Sequence, residues 1–354
     1  VTNYHVVAQA ALEPEKYRAL FEGVDGASGE LRLLAIDVRH DLAVLEFVRP
    51  RRGTPVFEWA TDAPRQGERL YSLGNPLDIG FAVVEGTYNG VPPRAFYPRL
   101  LFTGAINPGM SGGPVLDDAG RVVGVNVAKR LDGELVSFLV PARYARELAA
   151  RAVKPLALPA YAEVARQLDA HQRALVARTL AKPLPRQTYG RWRVPLLDAA
   201  WARCWGASHP SKNGSLGFER GDCALDSALY SGLGNVGGLA LRHEVYDGDR
   251  LGAWRYARQL AASLGNESFR AQSSKLTANR CHEGYVAVGK LPLRGIVCAR
   301  AHKKFPGLYD FTVLATTLDA PTRGVQGRLD ASGVSFANGL ALARHYLEGY
   351  AWAR

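Results

Sequence analysis

The sequence predicts a chain in two parts, a mostly β front half followed by an α+β back half. Three observations predict it. Residues 29–140 hold short apolar runs separated by turn chemistry: LRLLAID, DLAVLEFV, RLYSLG, FAVVEG, RLLFTGA, GPVLDDAGRVVGVNVA and ELVSFLVP. Short strands at regular spacing belong to barrels or sandwiches. Charge divides near the same point. Residues 1–150 carry 16 Lys and Arg against 18 Asp and Glu, leaving 28 basic and 15 acidic residues beyond, so the formal excess of +11 lies in the back half. All four cysteines lie there too. With 354 residues there is length for two domains, each with its own core. The expected divisions are 1–152, a linker at 153–195, and 196–354.

Taken in order, VTNYHVV at the start reads as the end of a strand. Asp117-Asp118-Ala119-Gly120 sits between two apolar runs as a hairpin turn, with Gly120 free to take positive φ. Pro141 opens a helical run, ARYARELAARA, which stops before Pro155. Pro155, Pro159, Pro183, Pro185 and Pro195 then punctuate the linker. Between the second and third of these, Tyr161, Val164, Leu168, His171, Leu175 and Thr179 recur at helical spacing, which predicts a helix packed on one side. A membrane-surface helix is the rival reading, weakened by Glu163 and Asp169.

Beyond residue 196 the pattern is mixed. HPSKNGS reads as a loop, CALDSALYS as a helix, and GDRLGAWRYARQLAASLG as another helix. YVAVGK, LRGIVCARAHKKF and LYDFTVLATTL alternate like a strand meander, and a turn at Ala331-Ser332-Gly333 precedes a last helix, VSFANGLALARHYLEGYAW. Helices beside an antiparallel meander make an α+β sandwich.

The cysteines form two local pairs. Two disulfides made in an oxidising compartment are expected, Cys281 with Cys298 across a hairpin turning at Gly289-Lys290, and Cys204 with Cys223 around the NGS loop. A zinc site with His209, His282 and His302 competes, but no pair has the tight spacing that orients tetrahedral ligands. Buried free thiols are a third reading. No run approaches the eighteen or so apolar residues of a membrane span. The chain opens at Val1 and its only methionine is Met110, so a processed form or fragment is expected, with a signal peptide upstream and an extracytoplasmic location.

Three segments carry chemistry: VTNYHVV at 1–7, HDLAVLEF from His40, and NPGMSGGPV from Asn107. Peptide hydrolysis by a hydroxyl needs a base for its proton, a carboxylate to orient that base, and backbone amides for the oxyanion. Together the segments resemble the chymotrypsin-fold serine peptidases, most closely the HtrA/Deg-type branch. That family has a TNxHVV segment, a DLAVL strand and a GxSGGP loop in this order.

The resemblance covers residues 1–152 and implies a trypsin-like double β-barrel, its first barrel lacking N-terminal strands. It implies a His5, Asp41 and Ser111 triad and an oxyanion hole at Gly109, Met110 and Ser111. It also implies a specificity pocket floored by Ala105 and walled by Val125, Val136, Ser137, Phe138 and Leu139. No carboxylate waits there for Lys or Arg, so cleavage after small or medium aliphatic residues is expected. Met110 stands where trypsin-type zymogens need an aspartate to pair with a new amino terminus. His40, beside Asp41, reads as a solvated neighbour.

A protein or peptide substrate is therefore expected, with no cofactor and no metal. The GxGxxG string at Gly232, Gly234 and Gly237 lacks the strand–turn–helix context of a dinucleotide site and reads as a glycine-rich turn. No carboxylate-binding loop of the PDZ kind is visible in the back half, which reads as a regulatory or targeting domain. Its excess charge suits an anionic envelope component. With no aromatic-basic stacking motif, nucleic acid is not expected. Two alternatives stand beside the endopeptidase: a chaperone-like or binding module on the same fold, and a self-cleaving protease.

Overall fold

A computed structural model describes residues 1–353 except 52, 55, 130–132, 211–215 and 267–272. The chain divides into two compact units, one made of Val1–Gln167 with Leu229–Gly234, the other of Leu168–Ala228 with Asn235–Arg354.

The first unit opens with a correction. Tyr4–Leu12 is a helix, α1, where a strand end was expected. The β-branched pair Val6-Val7 looks like strand, yet Tyr4, Val7, Ala8, Ala11 and Leu12 are buried with Ala10 beside them, and the spacing of those five is one face of a helix. Strands β1 (Ala19–Glu22), β2 (Ser28–Asp37) and β3 (Leu42–Phe47) form an antiparallel sheet in that order.

A second, six-stranded antiparallel sheet joins β4 (Arg69–Gly74), β5 (Ala82–Thr87), β6 (Leu100–Phe102), β7 (Pro114–Leu116), β8 (Val122–Lys129) and β9 (Ser137–Pro141) in the order β5-β4-β7-β8-β9-β6. The Asp117–Gly120 turn joins β7 to β8 as expected, with Gly120 at φ 75°. Leu70, Phe102, Met110, Val115 and Leu139 share one core, while Leu42, Val125, Val140 and Ala145 share a neighbouring one. The expected helix after Pro141 is α2 (Ala142–Arg151).

Helix α3 (Tyr161–Leu180) follows, and its expected stripe is buried at Val164, Leu168, His171, Leu175 and Thr179. The unit division falls inside this helix, in the stretch read from sequence as linker. That stretch also forms strands β10 (Arg186–Tyr189) and β11 (Trp192–Pro195).

The second unit continues with β12 (Ala202–His209) and β13 (Gly217–Leu225); β14 (Leu229–Tyr230) belongs to the first unit. Next come β15 (Asn235–Val236), β16 (Leu239–Asp247), α4 (Ala253–Asn266), β17 (Arg280–Val288), β18 (Leu291–Ala301), β19 (Leu308–Thr317), β20 (Arg323–Ser335), α5 (Phe336–Leu347) and β21 (Ala351–Trp352). Its centre is a seven-stranded antiparallel sheet ordered β12-β13-β16-β20-β19-β18-β17.

Two expectations fail here. CALDSALYS forms no helix: it holds the end of β13, where Cys223 and Leu225 alternate into the core, and β14 at Leu229–Tyr230. Ala331-Ser332-Gly333 is no turn but part of β20, which runs on to Ser335, the residue that caps α5 by accepting from Asn338 N–H. Both cysteine pairs lie directly opposite each other, Cys204 with Cys223 and Cys281 with Cys298, with their sulfurs bonded. The Cys281–Cys298 hairpin turns at Gly289-Lys290 as expected. The NGS loop lies outside the described residues.

Candidate active site

Antiparallel pairing ties the chain start to β3. Thr2 N–H donates to Ala43 O at 2.9 Å and Ala43 N–H donates back to Thr2 O at 2.8 Å. Helix α1 then begins beside the turn that ends at Asp41. Asp41 has φ 56°, a left-handed conformation that aspartate tolerates better than most side chains. The fully buried Asn3 reaches across, its Nδ2 donating to Asp41 O at 2.9 Å. So held, the Asp41 carboxylate takes two hydrogen bonds from one residue: His5 N–H at 2.8 Å on Oδ1, and His5 Nδ1 at 2.5 Å on Oδ2. This leaves Nε2 as the ring nitrogen available to a nucleophile.

Ser111 sits in the tight loop between β6 and β7. Gly109 has φ 94° and Gly112 φ 81°. A Cβ at Gly112 would lie 2.1 Å from Thr2 Oγ1 and 2.9 Å from Asn3 N, so this loop lies against the two residues that precede the His5 helix. Among the described residues, no hydrogen bond joins Ser111 to His5.

The buried Asn126 clamps the loop from below. Its Nδ2 donates to Met110 O at 3.1 Å, its N–H donates to Gly113 O at 2.9 Å, and its carbonyl accepts Gly112 N–H at 3.0 Å. Ser72 Oγ in turn donates to Asn126 Oδ1 at 2.9 Å. Of the three amides expected at the oxyanion hole, Met110 N–H is occupied by Asn107 O at 3.0 Å. Among the described residues, those of Gly109 and Ser111 have no hydrogen-bond partner. The Met110 side chain is fully buried.

The expected specificity pocket is only partly where the strands put it. Ala105, Val136 and Ser137 line a cavity of about 460 Å³ together with Ile106, Asn107, Lys129, Glu134 and Leu135. Val125 and Leu139 instead fill the two cores, and Phe138 packs on the second of them. The β8–β9 pairing shifts register between Asn126 and Ala128, and a one-residue shift exchanges the faces of a strand. Lys129 Nζ donates to Asn107 Oδ1 at 2.8 Å.

His40 is not a solvated neighbour. It stacks on Tyr144 at 3.8 Å between ring centroids and pairs through Nδ1 with Asp37 Oδ2 at 2.8 Å. Burial works against the ionised Asp37, but the His40 hydrogen bond, the charges of His40 and Arg39, and the His40 N–H hold its carboxyl below the usual value.

Sequence reasoning passed over Asn3, Asn126 and Tyr4. Asn3 and Asn126 are buried polar residues in apolar company, TNYHVV and VGVNVA, and that is the one signal a sequence offers for them. Among the described residues, no cluster of three or more His, Cys, Asp or Glu could hold a metal, and no helix is long and apolar enough to cross a membrane.

Residues 1–125 match the family described as trypsin-like peptidase domain. The chain is similar to a putative serine protease, HhoB, of Synechocystis, with 33% identity over 160 residues, 42% of this chain and 36% of that protein. It is also similar to a probable periplasmic serine endoprotease, DegP-like, of Brucella suis, with 28% identity over 162 residues, 44% of this chain and 30% of that one. A serine endoprotease structure from Yersinia pestis aligns at 25% identity and TM-score 0.38, covering 43% of this chain and 52% of its own. The chain thus spans about a third of the length of the curated relatives it matches. Its front part, residues 1–125, matches the trypsin-like peptidase domain, and HtrA/Deg-type serine proteases are among the proteins it is similar to.

Proposed function

We propose that this protein is a serine endopeptidase in which Ser111 is the nucleophile, His5 the general base and Asp41 the group that orients it. One observation carries the reading: the doubly bonded Asp41–His5 pair stands beside a Gly-Met-Ser-Gly loop with two unclaimed amides. His5 Nε2 takes the Ser111 proton as Oγ attacks the scissile carbonyl, and the imidazolium formed is stabilised by the Asp41 carboxylate. The N–H groups of Gly109 and Ser111 receive the oxyanion. His5 then protonates the leaving amine, and water repeats the sequence in reverse to free the acyl group. Met110, buried and engaged through its own amide, takes no part in holding the oxyanion.

The floor at Ala105 and the wall at Leu135, Val136 and Ser137 favour a small or medium aliphatic side chain, with Lys129 drawn aside by Asn107. Two disulfides and a relative named as a periplasmic endoprotease favour an extracytoplasmic setting. We assign the second unit a regulatory or targeting role, its basic residues suited to an anionic envelope component. The test is hydrolysis of an aliphatic peptide and labelling by a fluorophosphonate. Both are lost in Ser111→Ala if the reading holds, and hydrolysis that persists in Ser111→Ala overturns it.

A further inference from the structure

The glycine string at Gly232, Gly234 and Gly237 has no part in the chemistry above, yet its first turn folds into the same unit as His5. Helix α1 presents Tyr4, Ala8 and Leu12 one above another, all three at most 2% exposed. Gly232 lies on that stripe. It has φ 88°, and a Cβ there would stand 2.4 Å from Leu12 Cδ1, 3.0 Å from Tyr4 Oη and 3.5 Å from Ala8 Cβ. Only glycine satisfies both the dihedral and the space.

Polar contacts fix the same surface. Tyr4 Oη donates to Ser231 O at 3.2 Å, and Gln9 Nε2 donates to Gly232 O at 3.3 Å. The turn is itself braced: Ser231 Oγ donates to Gly234 O at 2.7 Å and accepts Leu233 N–H at 3.2 Å, while Tyr230 Oη donates to Gly232 O at 3.3 Å.

Tyr4 immediately precedes His5, so whatever sets the depth of Tyr4 sets the depth of the imidazole. We propose that the Ser231–Gly234 turn is a positioning element for His5, rigid against one flank of α1 while Asp41 grips the start of the helix. The proposal rests on the triad reading above. Asp41 holds the start of α1 and Ala160 N–H, donating to Ala11 O at 2.8 Å, holds its end; the turn fixes the flank between them, and a displacement of about 1 Å at a reacting group costs on the order of 10²-fold in rate.

The test compares Tyr4→Phe, Gly232→Ala and Gly232→Val with the parent and with Ser111→Ala, all in the full chain. Each is measured for kcat and KM on an aliphatic peptide and for Tm. The expected result is a kcat lowered about 10-fold in Tyr4→Phe and Gly232→Ala and about 100-fold in Gly232→Val, with KM unchanged and the protein folded at the assay temperature. A folded Gly232→Val with parental kcat overturns the proposal, as does a set in which only Tm falls. Should Gly232→Val not fold, Tyr4→Phe decides, since it removes one hydroxyl and adds no volume: unchanged kcat overturns the proposal. The triad reading fails separately, by activity surviving in Ser111→Ala.

Discussion

Asp41 binds His5 at two places, through the backbone N–H at 2.8 Å and through ring Nδ1 at 2.5 Å, from a left-handed backbone conformation with φ 56°. The carboxylate therefore fixes both the helix start and the imidazole tautomer. Asp41→Asn keeps the shape and offers the ring an amide that can present N–H where O is needed, so kcat should fall on the order of 10⁴-fold with KM little changed. Steady-state kinetics check this, and a loss under tenfold would remove Asp41 from the proposed triad.

Asn3 bears on the same pair from behind. Asn3→Ala deletes the Nδ2 bond to Asp41 O and leaves that carbonyl unserved near a strained residue. The expected cost is about 1–3 kcal/mol in stability together with a lower kcat. Denaturant unfolding and turnover, measured on one preparation, check both.

Asn126 ties three backbone groups of the Ser111 loop. Asn126→Leu fills similar space but leaves Met110 O with only its Gly113 N–H bond and strands Ser72 Oγ, so labelling of Ser111 by a fluorophosphonate should slow on the order of 10-fold or more, following the loss of oriented oxyanion donors. Labelling at the parental rate would show that the loop holds itself.

Acid stability should follow His243 and Asp37. Burial pushes the His243 imidazole down to about 3 from 6.5. A base buried neutral takes up protons more readily once unfolded, so stability is lost as pH falls below 6.5 towards 3. Asp37, held below its usual value, gives stability present above its unfolded pKa and lost as pH falls through the folded one. Both slopes point the same way. Tm measured from pH 7 to pH 4 should decline, and His243→Phe should flatten the part of the decline that begins near pH 6.5.

The disulfides close loops of 17 and 19 residues in sequence separation. Replacing one pair, as in Cys281→Ser with Cys298→Ser, should cost about 2–4 kcal/mol, read as a lower Tm. The effect should fall on the second unit, since the first holds no cysteine.

Much of this is legible in the sequence. Turn chemistry at Asp117–Gly120, the Pro141 helix start and the α3 stripe all carry local signals, and each element stands where those signals put it. The misreadings share a cause. VTNYHVV and CALDSALYS are ambiguous between periods of 2 and 3.6, and tertiary burial of Tyr4 and Val7 in one, Cys223 and Leu225 in the other, decided against the local preference. The pocket wall differs for another reason: Val125 and Leu139 are taken up by the two cores, a tertiary demand that no local pattern announces. His40 looked solvent-facing because Tyr144, its stacking partner, is 104 residues away in sequence.

Because Leu229–Gly234 completes the unit that otherwise ends at Gln167, the order of synthesis matters. The ribosome finishes Gln167 and must add the next 67 residues before Gly234 exists, roughly 3–13 s at cellular elongation rates. Through that interval the first unit lacks both β14 and the turn that receives Tyr4 Oη and Gln9 Nε2, so one flank of α1 is completed only after translation has passed well into the second unit.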